Sequence, residues 1–170
     1  MNKFKAGWYV MYTRPRHEKT VSRRLSELNI KGYLPVTKTL RTWCDRKRFI
    51  EAPLFPSYVF VYLESMLHYN SGLDIEGVLH YVRFGKEVVR VSESIISNIQ
   101  LIAEHGKDVE VSSEYFQPGQ QLFIQRGPLT GLSCEIVRIN GGQKILIRVN
   151  LLQRNLLLTM PAEDLLAISA

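Results

Sequence analysis

One run of residues, Glu51-Ala52-Pro53-Leu54-Phe55-Pro56-Ser57-Tyr58-Val59-Phe60-Val61-Tyr62, constrains this chain more than any other. Two prolines bracket an apolar pair, and the chain then passes directly into aromatic and β-branched residues. Each proline fixes its own φ and drives the residue before it into extended geometry, so Leu54 and Phe55 sit in a stiff loop that is expected to display Phe55. From Tyr58 onward, strand alternation sets Tyr58, Phe60 and Tyr62 on one sheet face and Val59, Val61 and Leu63 on the other. One face packs the domain. The other is either more core, as aromatic strand residues commonly are, or an aromatic docking surface.

Upstream, Gly7-Trp8-Tyr9-Val10-Met11-Tyr12-Thr13 reads as a strand that leads into a basic helix. Thr13 or Arg14 is its expected cap, Pro15 suits its first turn, and Val21, Leu25 and Leu28 recur at i, i+4 and i+7 as one apolar stripe. On a helical wheel Arg16, Lys19 and Arg23 fall opposite that stripe, with His17 and Arg24 beside it. The only acids in this stretch are Glu18 and Glu27.

Charge is distributed accordingly. The formal net charge is +6, and residues 1–105 hold all of it, with 16 Lys+Arg against 10 Asp+Glu, while 106–170 balance at 6 against 6. Within residues 1–50 the count is 13 against 3, a net of +10. So concentrated a field favours a polyanion, and nucleic acid above others. No aromatic interleaves the helical ridge, so the expected contact there is to phosphates and not to bases.

Beyond the helix, Gly32-Tyr33-Leu34-Pro35-Val36 and the basic run from Lys38 to Arg48, which holds Trp43 and Cys44, read as a strand and an extended hairpin tip. Arg46-Lys47-Arg48 is either a solubilising tip or a nucleic-acid contact. Ser92 caps a second amphipathic helix built on Ile95, Ile99, Ile102 and Ala103, running to Glu104. The order strand, helix, strands, short helix, strand, helix predicts an α+β fold over 1–105, an antiparallel α/β sandwich of the ferredoxin-like kind. Residues 106–114 are charged and aperiodic and are read as a linker. From 115 to 170, short apolar runs separated by Gly127-Pro128, Asn140-Gly141-Gly142 and Arg154-Asn155 predict a small β-barrel.

At 170 residues the chain suffices for one ordinary domain or two small ones, and its 45% hydrophobic content suits a soluble protein. No apolar run spans a bilayer and no signal-peptide core follows Met1, which predicts a cytoplasmic location without a membrane partner. Cys44 and Cys134 lack Cys-x-x-Cys or Cys/His spacing and are read as free thiols, so no metal or cofactor is expected.

Trp-Tyr-Val near the start, Pro-Leu-Phe-Pro-x-Tyr-Val-Phe-Val at 53–61, Val-Arg-Phe-Gly at 82–85 and Gly-Pro-Leu-x-Gly-Leu at 127–132, in this order and spacing, resemble the NusG family of transcription elongation factors. The resemblance covers nearly the whole chain. It implies a polymerase-binding NGN domain over 1–105 and an SH3-like KOW barrel over 115–170. It further implies docking on the clamp helices of RNA polymerase through Tyr12, Phe55, Tyr58, Phe60 and Phe84. Arg14, Arg16, Lys19, Arg23 and Arg24 would then face the non-template DNA strand, and His68, with Tyr69 and Asn70, the opposite side of the cleft. Such a factor is a monomer that suppresses pausing and termination, and a ribosomal protein or a termination factor is the partner implied for the barrel.

Cys134 stands where the family usually has glycine after the Gly-Pro-Leu-Thr-Gly-Leu turn. A backbone of φ > 0 there would strain it, and the departure is similar to that of specialised RfaH- and UpxY-like antiterminators. Leu151-Leu152, Leu156-Leu157-Leu158 and Leu165-Leu166 prefer helix to strand, the state that domain can take in the RfaH-like branch. Asn140-Gly141-Gly142 and Pro161 favour an all-β barrel instead.

An enzyme is not expected. His17-Glu18 lacks a second histidine at i+4, there is no Gly-x-x-x-x-Gly-Lys, and the four histidines are scattered. The alternative is a ribosome-associated or RNA-binding module without polymerase contact, since both fold types bind RNA. That reading places basic surface on the barrel, whose sequence is neutral.

Overall fold

The computed structural model describes residues 4–105 and, beyond them, the backbone of the strands between 110 and 167; side chains are described over 4–104 apart from 39–41. Two compact units divide the chain at Ile96/Ser97, inside a helix.

The first unit is built on β1 (Gly7–Thr13), α1 (Glu18–Glu27), β2 (Gly32–Tyr33), β3 (Val36–Trp43), β4 (Arg46–Pro53), β5 (Tyr58–Leu63), α2 (Met66–Leu73) and β6 (Val78–Tyr81). β7 (Arg83–Phe84), β8 (Glu87–Val88) and β9 (Arg90–Val91) follow, and α3 (Glu93–His105) begins in the first unit and continues past the boundary. Its main sheet runs β2-β5-β1-β6, with β9 pairing the start of β1, and every pairing is antiparallel. The fold is thus mixed α/β with antiparallel sheets, and three helices lie among the described residues.

The β1/β5 register divides the aromatics. Trp8 faces Tyr62, Val10 faces Phe60 and Tyr12 faces Tyr58, while Tyr9 pairs with Val61 and Met11 with Val59. The second set turns toward the helices. Tyr9, Met11, Val59, Val61 and Leu63 pack with Val21 and Leu25 of α1, Ile30, Ile75 and Tyr81 into one core. α1 lies on β2 and β5, and α2 on β5 and β6. Burying each of the larger side chains contributes about 1.5–3 kcal/mol.

Local chemistry explains most boundaries. Ser65 caps α2 by accepting the His68 N–H at 3.3 Å, and Ser92 caps α3 as expected, its Oγ 3.4 Å from the Ile95 nitrogen. The buried stripe of α3 is Ile96, Ile99 and Ile102. Gly72 sits in α2 because a Cβ there would run into the Tyr81 hydroxyl and the Met11 Cε. α1 departs from the sequence reading: it starts at Glu18, with His17 as an N-cap whose side chain does not cap the helix but lies 3.2 Å from the Pro15 carbonyl through Nδ1. Arg16 takes φ +68°, which ends any helical start at Pro15. Leu28, expected in the stripe, is the C-cap and 48% exposed; Ile30 fills its place in the core.

Tyr81 is buried, stacks on Tyr69 with centroids 4.4 Å apart, and donates its hydroxyl to the Tyr69 carbonyl at 3.0 Å. Burial first, and Tyr69 second, raise its pKa above the ordinary 10.0. The native state therefore keeps this proton to higher pH than the unfolded chain, so the associated stability is complete below pH 10 and declines as pH rises above it. Denaturant titrations at increasing alkaline pH should show this loss, and Tyr81→Phe should flatten it.

The second unit contains β10 (Glu110–Ser112), β11 (Gln121–Ile124), β12 (Ser133–Ile139), β13 (Gly142–Val149), β14 (Arg154–Thr159) and β15 (Leu165–Ala167). They form an antiparallel sheet ordered β10-β14-β13-β12-β11-β15. Three residues of the expected linker are therefore sheet, with Glu110 opposite Leu157; 106–109 and 113–114 lie outside the described residues. Ile139 faces Gly142, as the Asn140-Gly141-Gly142 signal implied. Leu156–Leu158 and Leu165–Leu166 are strand, because each is held in a ladder that outweighs leucine's helical preference. Cys134 is a paired strand position opposite Leu122, not a turn position. The 127–132 turn, Leu151, Leu152 and Pro161 lie outside the described residues.

Candidate functional site

Two proline turns meet at the end of β1. In Arg14-Pro15-Arg16-His17 the His17 N–H donates to the Arg14 carbonyl at 3.1 Å, and in Phe55-Pro56-Ser57-Tyr58 the Tyr58 N–H donates to Phe55 at 3.1 Å. Each has proline at the second position and positive φ at the third, Arg16 at +68° and Ser57 at +68°, which is type II geometry achieved without glycine. The turns are clipped together through Ser57. The Thr13 N–H donates to its carbonyl at 2.8 Å, and its own N–H donates to Glu18 Oε1 at 2.7 Å. Glu18 is only 5% exposed. By composition it reads as one of two acids on a basic helix; no spacing signal marks it as the clip.

The clip positions an aromatic row across three strands. Tyr12 lies between Tyr58, at 5.3 Å, and His80, at 5.2 Å with rings stacked at 27°. Tyr12 and Tyr58 are half-buried and His80 is exposed, on the sheet face turned away from α1 and α2. No local pattern marks His80, which its register opposite Tyr12 brings into the row.

Phe55 is a correction. It is 1% exposed, not displayed, because the Leu54 N–H donates to the Pro35 carbonyl at 2.8 Å and turns the loop inward. Its ring meets Phe60 edge-on at 6.0 Å, and Phe60, itself fully buried, lies 6.2 Å from Tyr33. Both residues are core and offer no surface to a partner. Phe84, by contrast, is 85% exposed on the β7/β8 hairpin, and among the described residues it makes no ring contact with the row.

His68 is half-buried near the start of α2, and its Nδ1 is buried without a hydrogen-bond partner among the described residues. Tyr69 is part of the packing, stacked on Tyr81, while Asn70 is exposed.

The basic residues do not form one helical ridge. Arg14 and Arg16 belong to the first proline turn, since α1 begins only at Glu18. Lys19 is exposed at the helix start, its Nζ 3.5 Å from the Glu51 carbonyl at the base of β4. Arg23 and Arg24 at the far end share Glu27, at 3.8 Å and 2.8 Å, exposed pairs that add little stability but occupy both guanidinium groups. Of these five, Arg14, Arg16 and Lys19 make no ion pair among the described residues, and Arg16 and Lys19 line a cleft of about 550 Å³ with Ile50 and Glu51. Among the described residues no group of three His, Cys, Asp or Glu can hold a metal, Cys44 is a free exposed thiol, and no helix is long and apolar enough to cross a membrane.

Comparison with known proteins gives these surfaces a context. The NusG family profile, described as "Transcription termination factor nusG", matches residues 6–100. No curated protein matches the chain. Among solved structures, the chain is similar to one described as "Domain interaction in Thermotoga maritima NusG", at 22% identity and TM-score 0.58, covering 97% of this chain and 98% of that one. This is a likeness of fold. An MjSpt4:Spt5 complex in conformation B also aligns, at 16% identity, 96% and 97% coverage, and a TM-score of 0.33 too low to carry an argument. The matched segment spans more than half of the chain and contains both proline turns, the aromatic row and the basic surface; the chain belongs to the NusG family of transcription factors.

Proposed function

We propose that this chain is a transcription elongation factor that binds the clamp helices of RNA polymerase and suppresses pausing and termination, as a specialised antiterminator of the RfaH/UpxY type. In this reading the first unit is a ferredoxin-like NGN domain and the second an SH3-like KOW barrel that engages a ribosomal protein or a termination factor. The chain acts by clamping and not by chemistry: by bridging the cleft, with His68 toward its opposite side, it opposes clamp opening through its differential affinity for the closed state.

The observation that carries the reading is the row Tyr58–Tyr12–His80, laid across three antiparallel strands with its outer side open to solvent. Aromatic groups with one wet side and one packed side are typical anchors for a partner helix. Phe84, exposed on its own hairpin, would be a separate apolar contact, and Arg14, Arg16 and Lys19 would meet the non-template DNA strand. The neutral charge balance of 106–170 argues against the alternative of an RNA-binding barrel.

Tyr12→Ala and Tyr58→Ala should each weaken binding to a polymerase clamp-helix fragment at least tenfold, the effect of losing an anchor worth about 2 kcal/mol. Surface plasmon resonance on variants with unchanged circular dichroism measures this. Unchanged affinity in the double variant would remove the docking assignment.

A further inference from the structure

The β3–β4 hairpin is two eight-residue strands in full register, from Val36 opposite Pro53 to Trp43 opposite Arg46. At about 3.4 Å per residue it extends about 27 Å, and among the described residues no third strand pairs with either edge. Its two-residue turn has Cys44 at φ +44° and Asp45 at φ +61°, the left-handed pair that a tight hairpin requires. Trp43 is 79% exposed, Phe49 75% and Ile50 42%. Cations alone protect an unpaired edge from aggregation, so the arginines and lysines have an ordinary explanation. The exposed tryptophan has none, because it adds apolar surface where an edge is best kept polar.

Cross-strand partners share a face, and the register sorts these side chains. Trp43 faces Arg46, and Arg48, two residues along the same strand and so on the same face, lies about 7 Å from Arg46. Among the described side chains no ring or cation stacks on Trp43. From Lys38 to Arg48 the only acid is Asp45, in the turn. This face therefore presents an open indole at the tip with positive charges beside it. An unpaired nucleotide strand offers the complement, a flat base alternating with a phosphate. An acidic protein surface would satisfy the arginines but would also need an apolar pocket for the indole. At the other end, the hairpin base abuts Arg16 and Lys19 across the cleft, so a strand lying on the first basic surface can continue onto the arm.

We propose that the β3–β4 hairpin is a second nucleic-acid-binding element, in which Trp43 stacks on an unpaired base while Arg46 and Arg48 contact the flanking phosphates. It rests on the reading that this factor works beside exposed DNA, but it involves none of the residues of the aromatic row or of the α1 surface.

The test uses the full chain with a short fluorescein-labelled oligothymidylate, its duplex, and polyglutamate as a competitor. Trp43→Ala should weaken single-strand binding about fivefold or more, the worth of one stacked base, while Trp43→Phe should stay close to wild type. Indole emission should be quenched on binding, and the quenching should vanish in Trp43→Ala because the other tryptophan, Trp8, is 4% exposed. Arg46→Gln with Arg48→Gln should reduce the magnitude of the log K against log salt slope by about 1.4. The proposal is overturned by wild-type binding in Trp43→Ala, by equal binding of duplex without quenching, or by hairpin variants that change only the binding of polyglutamate. Arg16→Gln with Lys19→Gln separates the two surfaces. If that pair weakens binding and the hairpin variants do not, the arm falls and the α1 surface stands; the reverse result upholds the arm alone.

Discussion

Phe55→Ala is expected to destabilise the first unit by about 3–5 kcal/mol, the cost of removing a fully buried aromatic side chain together with the cavity it leaves. Phe55 fills the space under Phe60 at 6.0 Å, and the chain on either side is fixed by Pro53 and Pro56, so the site has little freedom to collapse. Tyr58→Ala, three residues on, should cost much less, because Tyr58 is only half-buried and its ring is shared with the surface row. Urea unfolding followed by the emission of Trp8, in a Trp43→Phe background, measures both. A small loss for Phe55→Ala combined with weakened polymerase binding would restore Phe55 to the surface.

Glu18→Ala is expected to destabilise by about 1.5–3 kcal/mol, the range for a hydrogen bond to a charged group whose buried partner is left unmatched. The orphaned group is the Ser57 N–H, held at 2.7 Å in a residue at φ +68° that gains nothing from that conformation on its own. Release of Ser57 frees the turn that delivers Tyr58 to the row, so clamp-helix binding should weaken along with stability. Amide exchange at Ser57 should accelerate selectively, and Glu18→Gln, which keeps an acceptor, should recover part of both effects. Wild-type exchange at Ser57 in Glu18→Ala would show that the Thr13 hydrogen bond to its carbonyl suffices.

Both predictions concern contacts between segments far apart in sequence, and this is where legibility ended. Alternation in 58–63 was readable because strand geometry has a period of two, and the core set Val59, Val61 and Leu63 followed from it. The α3 cap at Ser92 was readable because a cap is a local hydrogen bond. The start of α1 was not, because proline is equally at home in a first helical turn and at the second position of a type II turn; Arg16 in the left-handed region decided between them. The β3–β4 hairpin was readable as an extended tip, but its turn residues were not, since Cys44-Asp45 lacks the glycine or asparagine that usually marks left-handed hairpin positions.

The basic residues show the same division. Their number and their concentration before residue 50 are properties of the sequence, and they alone bias the chain toward a polyanion. Which of them are free is a matter of distance: Glu27 occupies Arg23 and Arg24, and the proline turn takes Arg16 off the helix. The sequence by itself determined strand alternation, charge placement and the ordered motifs of the family, because each depends on neighbours within a few residues. Only the tertiary structure decided that Phe55 is core, that Glu18 clips two turns together and that His80 completes an aromatic row. Burial, a buried hydrogen bond and cross-strand register are set by whichever distant segment arrives opposite, and no local pattern encodes that.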